Sequence, residues 1–337
     1  MATLLITGGT VVTATGRCEA DVLVDGEKIV AVLTPGSTLL GTDLAAGVDT
    51  VIDASGKYVI PGGIDAHTHM ELPFGGTNAS DTFETGTIAA AWGGTTSIID
   101  FAVQKTGEAV ETGLAAWHEK AAGNCAVDYG FHQIIGGVDE QSLKAMETLV
   151  EEGITSYKLF MAYPGVFYSD DAQIVRAMQK AAELGLLTMM HAENGPAIDV
   201  LAEQLYNAGK TTPYFHGIAR AWQLEEEATH RAIMLADLTE APLYVVHVSA
   251  KQAVAQLAAA ATGARTCSAR PARNTSTSRS RSSSEPLEIK RGVTSKAPSG
   301  SARRRCARVR RATRTPCGKA CAPTTYRWSR PTTARSA

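Results

Sequence analysis

Hydrophobic residues follow one pattern before about residue 58 and another after it. In the first part, short apolar runs are separated by turn signals, and Asp25-Gly26 between the runs 22–24 and 29–32 predicts a tight β-hairpin. Runs of this length and spacing are typical of small all-β units. We therefore expect residues 1–57 to form the N-terminal part of a small β-sandwich domain.

From residue 58 onwards, apolar segments of strand length alternate with segments of helical pattern. Helix signals include Asp81 as an N-cap with Glu84 three residues later, a helix from Asp171 to Leu184 before Gly185, and a helix over residues 224–238. Alternating strands and helices indicate an α/β fold with a parallel sheet, here an incomplete (β/α)8 TIM-type barrel of about six strands over residues 58–263. The predicted strands are residues 58–64, 95–101, 127–135, 155–161, 186–191 and 243–248.

The charge balance changes sharply after residue 263. The 337-residue chain has 32 Lys+Arg, 34 Asp+Glu and a formal net charge of -2, but residues 264–337 hold 19 of the basic residues and only two acids, Glu285 and Glu288. Leu287 and Ile289 are the only leucine and isoleucine in that segment. A segment so poor in apolar residues cannot offset its ordering entropy, so we expect a basic, low-complexity, disordered tail.

Two classes of partner are not expected from the sequence. There is no apolar run of 18 residues and no secretory leader, which predicts a cytoplasmic protein without a membrane partner. The basic tail raises the alternative of a nucleic-acid-binding protein. However, Tyr326 and Trp328 are its only aromatic residues and its cysteines form no paired C-x-x-C framework, so we expect no specific nucleic-acid partner.

Four histidines lie at the ends of predicted barrel strands. His67 and His69 are spaced i and i+2, which puts both imidazoles on one face of a strand, and His191 and His247 end two later strands. Because the carboxyl ends of barrel strands meet at one mouth, the pattern predicts a shared site for divalent metal ions such as zinc. The alternative for each histidine alone is a hydrogen-bonded rim residue. The remaining histidines are interpreted as structural or surface residues: His118, His132, His216 and His230.

Lys158 and Tyr163 are the other candidate site residues. Lys158 lies in an apolar strand, where an amine is costly unless its charge is removed or paired. Carbamylation by CO2 would turn it into a carboxylate-like group able to bridge two metals; the alternative is a lysine that reaches solvent at the rim. Tyr163 follows on the next loop, where its hydroxyl could donate to a developing oxyanion or its ring could simply pack.

Six segments of the chain carry distinctive motifs: PGGIDAHTH at 61–69, PFGGT at 73–77, FETGT at 83–87, GGTT at 93–96, KLFMAY at 158–163 and HAENG at 191–195. Taken together, these segments resemble the dihydropyrimidinase/D-hydantoinase family of the amidohydrolase superfamily. The resemblance runs from the N-terminus to about residue 263, and the motif at 158–163 favours hydantoinases over dihydroorotases and allantoinases.

The resemblance implies a site with two divalent metal ions, most simply Zn²⁺. In such a site His67 and His69 bind one ion, His191 and His247 bind the other, and carbamylated Lys158 bridges them.

It also implies an activity and an assembly. The activity is hydrolysis of the cyclic amide of dihydropyrimidines or 5-substituted hydantoins to N-carbamoyl amino acids, with Tyr163 polarising the scissile carbonyl, and the assembly is a homotetramer. The alternatives are another cyclic amidohydrolase, such as an allantoinase, or a non-catalytic scaffold related to the family, against which the retained candidate ligands argue.

The family pattern stops at residue 263, and the aspartate that it implies at the end of an eighth strand, as a proton shuttle, is absent. Codons chosen for residues 265–279 and read in a shifted frame give NVLGETCPQYLYLS, which resembles the family's seventh strand; residues 321–337 similarly give RTNDLQVVSTDHCPF, with an aspartate. We interpret the tail as the product of a frameshift and expect the chain as written to be poorly soluble or inactive.

Overall fold

The structure, a computed structural model, describes residues 3–39 and 42–262; the tail predicted for residues 264–337 lies outside them. This part of the chain contains a five-stranded sheet, a six-stranded sheet, two short ribbons and eight α-helices. The strands are β1 (Thr3–Thr13), β2 (Gly16–Asp25), β3 (Lys28–Leu33), β4 (Thr38–Leu39), β5 (Thr42–Asp43), β6 (Thr50–Asp53), β7 (Tyr58–Val59), β8 (Gly63–Thr68), β9 (Pro73–Phe74), β10 (Thr77–Asn78), β11 (Thr95–Val103), β12 (Asp128–Ile134), β13 (Ser156–Phe160), β14 (Leu187–His191) and β15 (Leu243–Val245). The helices are α1 (Phe83–Trp92), α2 (Val110–Ala121), α3 (Glu140–Glu151), α4 (Asp171–Leu184), α5 (Gly195–Asn207), α6 (Pro213–Ala219), α7 (Trp222–Thr239) and α8 (Lys251–Ala261).

The N-terminal sheet has the order β3-β2-β1-β6, and β7 also pairs with β1. Asp25 pairs with Lys28 across the turn between β2 and β3, and Gly26 has a φ of 60°, so the predicted hairpin is confirmed. Alternation along β1 and β2 directs Val11 and Val22 into a small core of their own.

The prediction of a single strand over residues 58–64 is wrong. Tyr58 pairs with Thr10 in the N-terminal sheet, whereas the first strand of the second sheet begins at Gly63. The chain passes from one sheet to the other at Pro61 and Gly62. Pro61 has no N–H to donate to a sheet ladder. Gly62 lies so close to Thr96 that a Cβ there would be only 2.1 Å from the hydroxyl oxygen of Thr96.

The second sheet confirms the predicted incomplete barrel. Its six strands are all parallel in the order β15-β14-β13-β12-β11-β8, and helices follow its strands along the chain. Among the described residues, β8 and β15 each pair on one side only, and the side chains of Ile64 and Tyr244 on these edge strands are 61% and 55% exposed. The described part of the barrel is therefore an open, curled sheet.

Helix boundaries follow the capping residues. The predicted helix from Asp171 to Leu184 is observed, because Asp170 and Gln173 form a capping box and Gly185 adopts the left-handed conformation at its end. The first helix is capped by Thr82 with Thr85, not by Asp81 with Glu84 as predicted, since Thr82 has the extended backbone that an N-cap needs.

The remaining helix prediction, residues 224–238, starts two residues late and ends one residue early relative to α7. No helix in the described ranges is long and apolar enough to cross a bilayer.

Candidate metal centre

The carboxyl edge of the six-stranded sheet brings the predicted site residues together. His67 lies near the end of β8, Lys158 within β13, and His191 is the last residue of β14. His247 follows β15 by two residues. Parallel strands end at the same edge of a sheet, so four separated segments deliver their side chains to one place.

His67 and His69 face each other. Their Nε2 atoms are 3.2 Å apart, and the intervening Thr68 points the other way, where its hydroxyl donates to the buried carboxylate of Asp100 at 2.7 Å. The two-residue period of a strand therefore has the predicted effect of placing both imidazoles on one face.

Lys158 is buried beside this pair. Lys158 is only 2% exposed. Its Nζ lies 3.3 Å from Nε2 of His67 and 4.4 Å from the ring centre of Phe101. No carboxylate in the described part of the chain pairs with this amine. Burial lowers the pKa of Lys158 to about 8, because the charged form loses its hydration. Lys158 therefore does not reach solvent at the rim, which was the alternative to a buried, modified lysine.

His191 and His247 form a second pair next to the first. Their ring centres are 4.4 Å apart, and the ring centre of His247 is 6.2 Å from that of His67. The strand predicted to run to residue 248 ends at Val245, and His247 has a positive φ of 39°. A non-glycine residue held in this region is strained, and such strain is concentrated at functional sites.

Three imidazoles of this cluster, those of His67, His69 and His247, are held in their neutral form. Burial, reinforced by the charge of Lys158, lowers the pKa of His67 to about 3 and that of His69 to about 4. Burial and the neighbouring His191 lower the pKa of His247 to about 4. A neutral imidazole is the form that can donate a lone pair to a cation.

The chemistry of these side chains fits two divalent cations if Lys158 supplies a further ligand to each histidine pair. Nδ1 of His69 is buried without a hydrogen-bond partner, and the Nε2 atoms of His67 and His69 converge as two lone-pair donors would on a shared ion. Within residues 3–39 and 42–262, no three histidine, cysteine, aspartate or glutamate side chains are grouped to hold one ion. Each imidazole pair therefore needs a third ligand, and Lys158 can supply it only after its amine becomes an acceptor.

Tyr163 borders the cavity next to the second histidine pair. It has a positive φ of 63°, and its ring centre is 5.1 Å from that of His191. Burial raises the pKa of its hydroxyl, which keeps the phenol protonated and able to donate. The cavity has a volume of about 220 Å³ and is also lined by Glu193 and Arg220.

Two buried residues outside the predicted ligand set, Asp100 and His132, support the first histidine pair. Asp100 accepts hydrogen bonds from the Thr68 hydroxyl, the backbone N–H of Met70 and the indole N–H of Trp117. Burial raises the pKa of Asp100, while these bonds oppose the shift. Its only sequence signal is an acid within an otherwise apolar strand.

His132, interpreted as structural, does tie strands together. Its Nε2 lies 3.0 Å from the carbonyl oxygen of Ala66, and its Nδ1 contacts the hydroxyl of Ser156. These contacts link β12 to the strands that carry His67 and Lys158.

Comparison with known proteins gives consistent matches. The model of the amidohydrolase family matches residues 58–297. A D-hydantoinase of Streptomyces coelicolor is 62% identical over 253 residues, covering 75% of this chain and 54% of that protein. A D-hydantoinase of Geobacillus stearothermophilus is 48% identical over 259 residues, covering 77% and 53%. The chain thus spans about half the length of the curated relatives it matches.

A solved structure agrees with the sequence matches. The crystal structure of a dihydropyrimidinase from Brevibacillus agri superposes with a TM-score of 0.73 at 48% identity, covering 77% of this chain and 55% of that one. The similarity in fold therefore includes the sheet that carries the histidine cluster.

Proposed function

The chain belongs to the amidohydrolase family, and from that premise we propose that its half-barrel is the metal-binding part of a cyclic amidase. The proposed reaction is hydrolysis of the ring amide of dihydropyrimidines or 5-substituted hydantoins to N-carbamoyl amino acids. The names of the similar D-hydantoinases support this substrate class. The observation that carries the proposal is the convergence of Lys158 on the imidazoles at the carboxyl edge of the sheet.

We assign the ligands in two pairs. His67 and His69 would hold one divalent ion, most simply Zn²⁺, His191 and His247 would hold the other, and carbamylated Lys158 would supply a ligand to both. The lowered pKa of Lys158, about 8, leaves part of its amine neutral near pH 7. The neutral Nζ adds to the carbon of CO2 and loses one proton, which gives a carbamate with a single negative charge and two acceptor oxygens.

When bound, the two cations acidify a water molecule and stabilise negative charge that develops on the amide oxygen. The chain's own residues orient the substrate. The hydroxyl of Tyr163, kept protonated by burial, donates to the carbonyl oxygen of the scissile amide. The cavity beside it accommodates the ring or its substituent.

We further propose that hydrolysis by the chain as written is impaired, because residues 264–337 contain no aspartate to move a proton between water and the leaving amide nitrogen. A cytoplasmic location and a homotetrameric state of the frame-restored protein complete the proposal. Residues 264–337 are assigned no specific nucleic-acid partner.

Metal analysis and product detection test the proposal together. The chain, equilibrated with Zn²⁺ and bicarbonate and then desalted, is expected to retain about two zinc ions, and a protein expressed from the frame-restored gene is expected to convert a 5-substituted hydantoin to an N-carbamoyl amino acid. Retention of no metal by either protein would favour the non-catalytic scaffold. Two metals with allantoin as the only substrate would favour an allantoinase.

A further inference from the structure

Glu193 makes a direct contact with one of the clustered histidines. Its carboxylate oxygen Oε2 lies 2.7 Å from Nε2 of His191, and the residue that carries this imidazole is only 6% exposed. A carboxylate can only accept a hydrogen bond, so Nε2 of His191 is the donor.

This contact decides which ring nitrogen is free. In the neutral imidazole that a cation requires, a proton on Nε2 leaves the lone pair on Nδ1. The first pair differs, since His67 and His69 turn their Nε2 atoms toward each other. His191 therefore presents a different ring nitrogen from His67 and His69.

Glu193 is itself held by Arg220. The guanidinium Nη1 lies 3.4 Å from Oε2 of Glu193, and Nε of the same side chain donates to Nε2 of His216 at 3.0 Å. The guanidinium carbon also lies 5.6 Å from the ring centre of Tyr163. One arginine from the end of α6 thus fixes the carboxylate against the histidine and borders the face of the tyrosine.

We propose that Glu193 is a positioning residue that selects the Nε2–H tautomer of His191, and that Arg220 holds Glu193 in the orientation this requires. Partners of this kind fix the ring orientation of a ligating histidine and make its free nitrogen a better donor. The inference deepens the proposed function, on which its metal-binding part rests; its tautomer part does not depend on metal.

A merely structural role is the alternative. Glu193 comes just before Asn194, which caps α5 by accepting from the backbone N–H of Ala197. If Glu193 only stabilised this helix end, its removal would lower the thermal stability without changing the ring nitrogens of His191. A measurement on the ring itself separates the two roles.

The test uses the full chain, metal-free, with ¹⁵N-labelled histidine rings and long-range ¹H–¹⁵N correlation spectra. His191 is assigned by the loss of its signals in His191→Gln. The wild-type protein is expected to show a pyrrole-type Nε2 and a pyridine-type Nδ1. Glu193→Ala is expected to give a mixture of both tautomers, and Arg220→Met a smaller change in the same direction. Glu193→Met, which has a similar length but no strong acceptor for Nε2–H, serves if the alanine variant does not fold.

Zinc titration gives the second readout. Glu193→Ala is expected to lower the affinity for one of the two zinc ions about 10- to 100-fold and to leave the affinity for the other unchanged. The matched control is Glu227→Gln, because Glu227 bonds Asn194 and Arg231 but makes no contact with His191. It is expected to leave the His191 spectrum and both affinities unchanged.

The outcomes are distinguishable. Retention of the pure Nε2–H tautomer in Glu193→Ala or Glu193→Met overturns the inference, whether or not the melting temperature falls. Loss of the tautomer preference, when neither this chain nor the frame-restored protein binds zinc, supports the positioning role of Glu193 and refutes the proposed function instead.

Discussion

Nζ of Lys158 lies 3.3 Å from Nε2 of His67, in the interior of a strand where no carboxylate of the described residues pairs with the amine. An amine buried in this way lowers the stability of the protein unless it is modified or bound. The contact therefore links the metal-free stability of the chain to the chemistry proposed for its site.

Replacing Lys158 by methionine removes the buried amine at similar volume. The folded-state pKa of Lys158 is lowered from 10.5 to about 8, so the unfolded state binds the proton first as the pH falls. This amine should cost the metal-free protein roughly 3 kcal/mol of stability between pH 10.5 and about 8, at 1.4 kcal/mol per pKa unit, and its own contribution should stay constant below pH 8. Metal-free Lys158→Met should lack this dependence. In a separate sample equilibrated with Zn²⁺ and bicarbonate, the variant should retain less zinc than the wild type.

Urea unfolding in CO2-free buffer across this pH range measures the effect, and Lys57→Met at an exposed position is the control for the change of residue type. A parallel pH dependence in wild type and Lys158→Met would show that the amine is not the cause.

Removing the hydroxyl of Tyr163 tests its proposed contact with the substrate. In the frame-restored protein, Tyr163→Phe should lower kcat about 10²- to 10³-fold, as expected for loss of one donor to the developing oxyanion, and should leave the zinc content at two. The contribution of Tyr163 is read from hydantoin hydrolysis with metal analysis of the same samples. Equal rates for both proteins would assign the tyrosine a packing role only.

Asp100 is expected to stabilise the turn that carries His69. In Asp100→Asn one acceptor oxygen becomes an NH2 group facing donors such as the Trp117 indole, so the free energy of unfolding should fall by about 2–3 kcal/mol. Thr68→Val, which removes only one of the donors to Asp100, should cost less. Urea denaturation of the metal-free chain gives both values, and a larger loss in Thr68→Val would contradict the central place of the carboxylate.

The open edges of the half-barrel predict self-association. Ile64 and Tyr244 are exposed on strands that pair on one side only within the described ranges, and such edges are templates for pairing with another chain. Ile64→Lys should reduce concentration-dependent association of the chain, whereas Val200→Lys, at an exposed apolar position on α5, should not. Light scattering after gel filtration distinguishes them; a monodisperse wild-type chain would remove the basis for the prediction.

Local signals determined how much of the fold was predictable from sequence. Both ends of the helix Asp171–Leu184 were predicted, because the residues that start and stop it, such as Gly185 at its end, are neighbours of the helix in the sequence. The strand over residues 58–64 was mispredicted because apolar character does not reveal which sheet a segment joins. That choice depends on pairing of Tyr58 with Thr10, nearly fifty residues away.

The candidate site was predictable where strand periodicity applied and not beyond it. The i, i+2 spacing of His67 and His69 was sufficient to predict that they share a face. The left-handed backbone of His247 and the contact between Glu193 and Arg220 were not predicted, since the first follows a strand that ends early and the second joins segments brought together only by folding.

Anomalous X-ray scattering at the zinc edge, from crystals of the chain grown with Zn²⁺ and bicarbonate, tests the central assignment most directly. Two anomalous peaks are expected, one beside His67 and His69 and one beside His191 and His247, with density for a carbamate on Lys158 between them. A single peak elsewhere, or an unmodified Lys158 directed away from the imidazoles, would contradict the assignment.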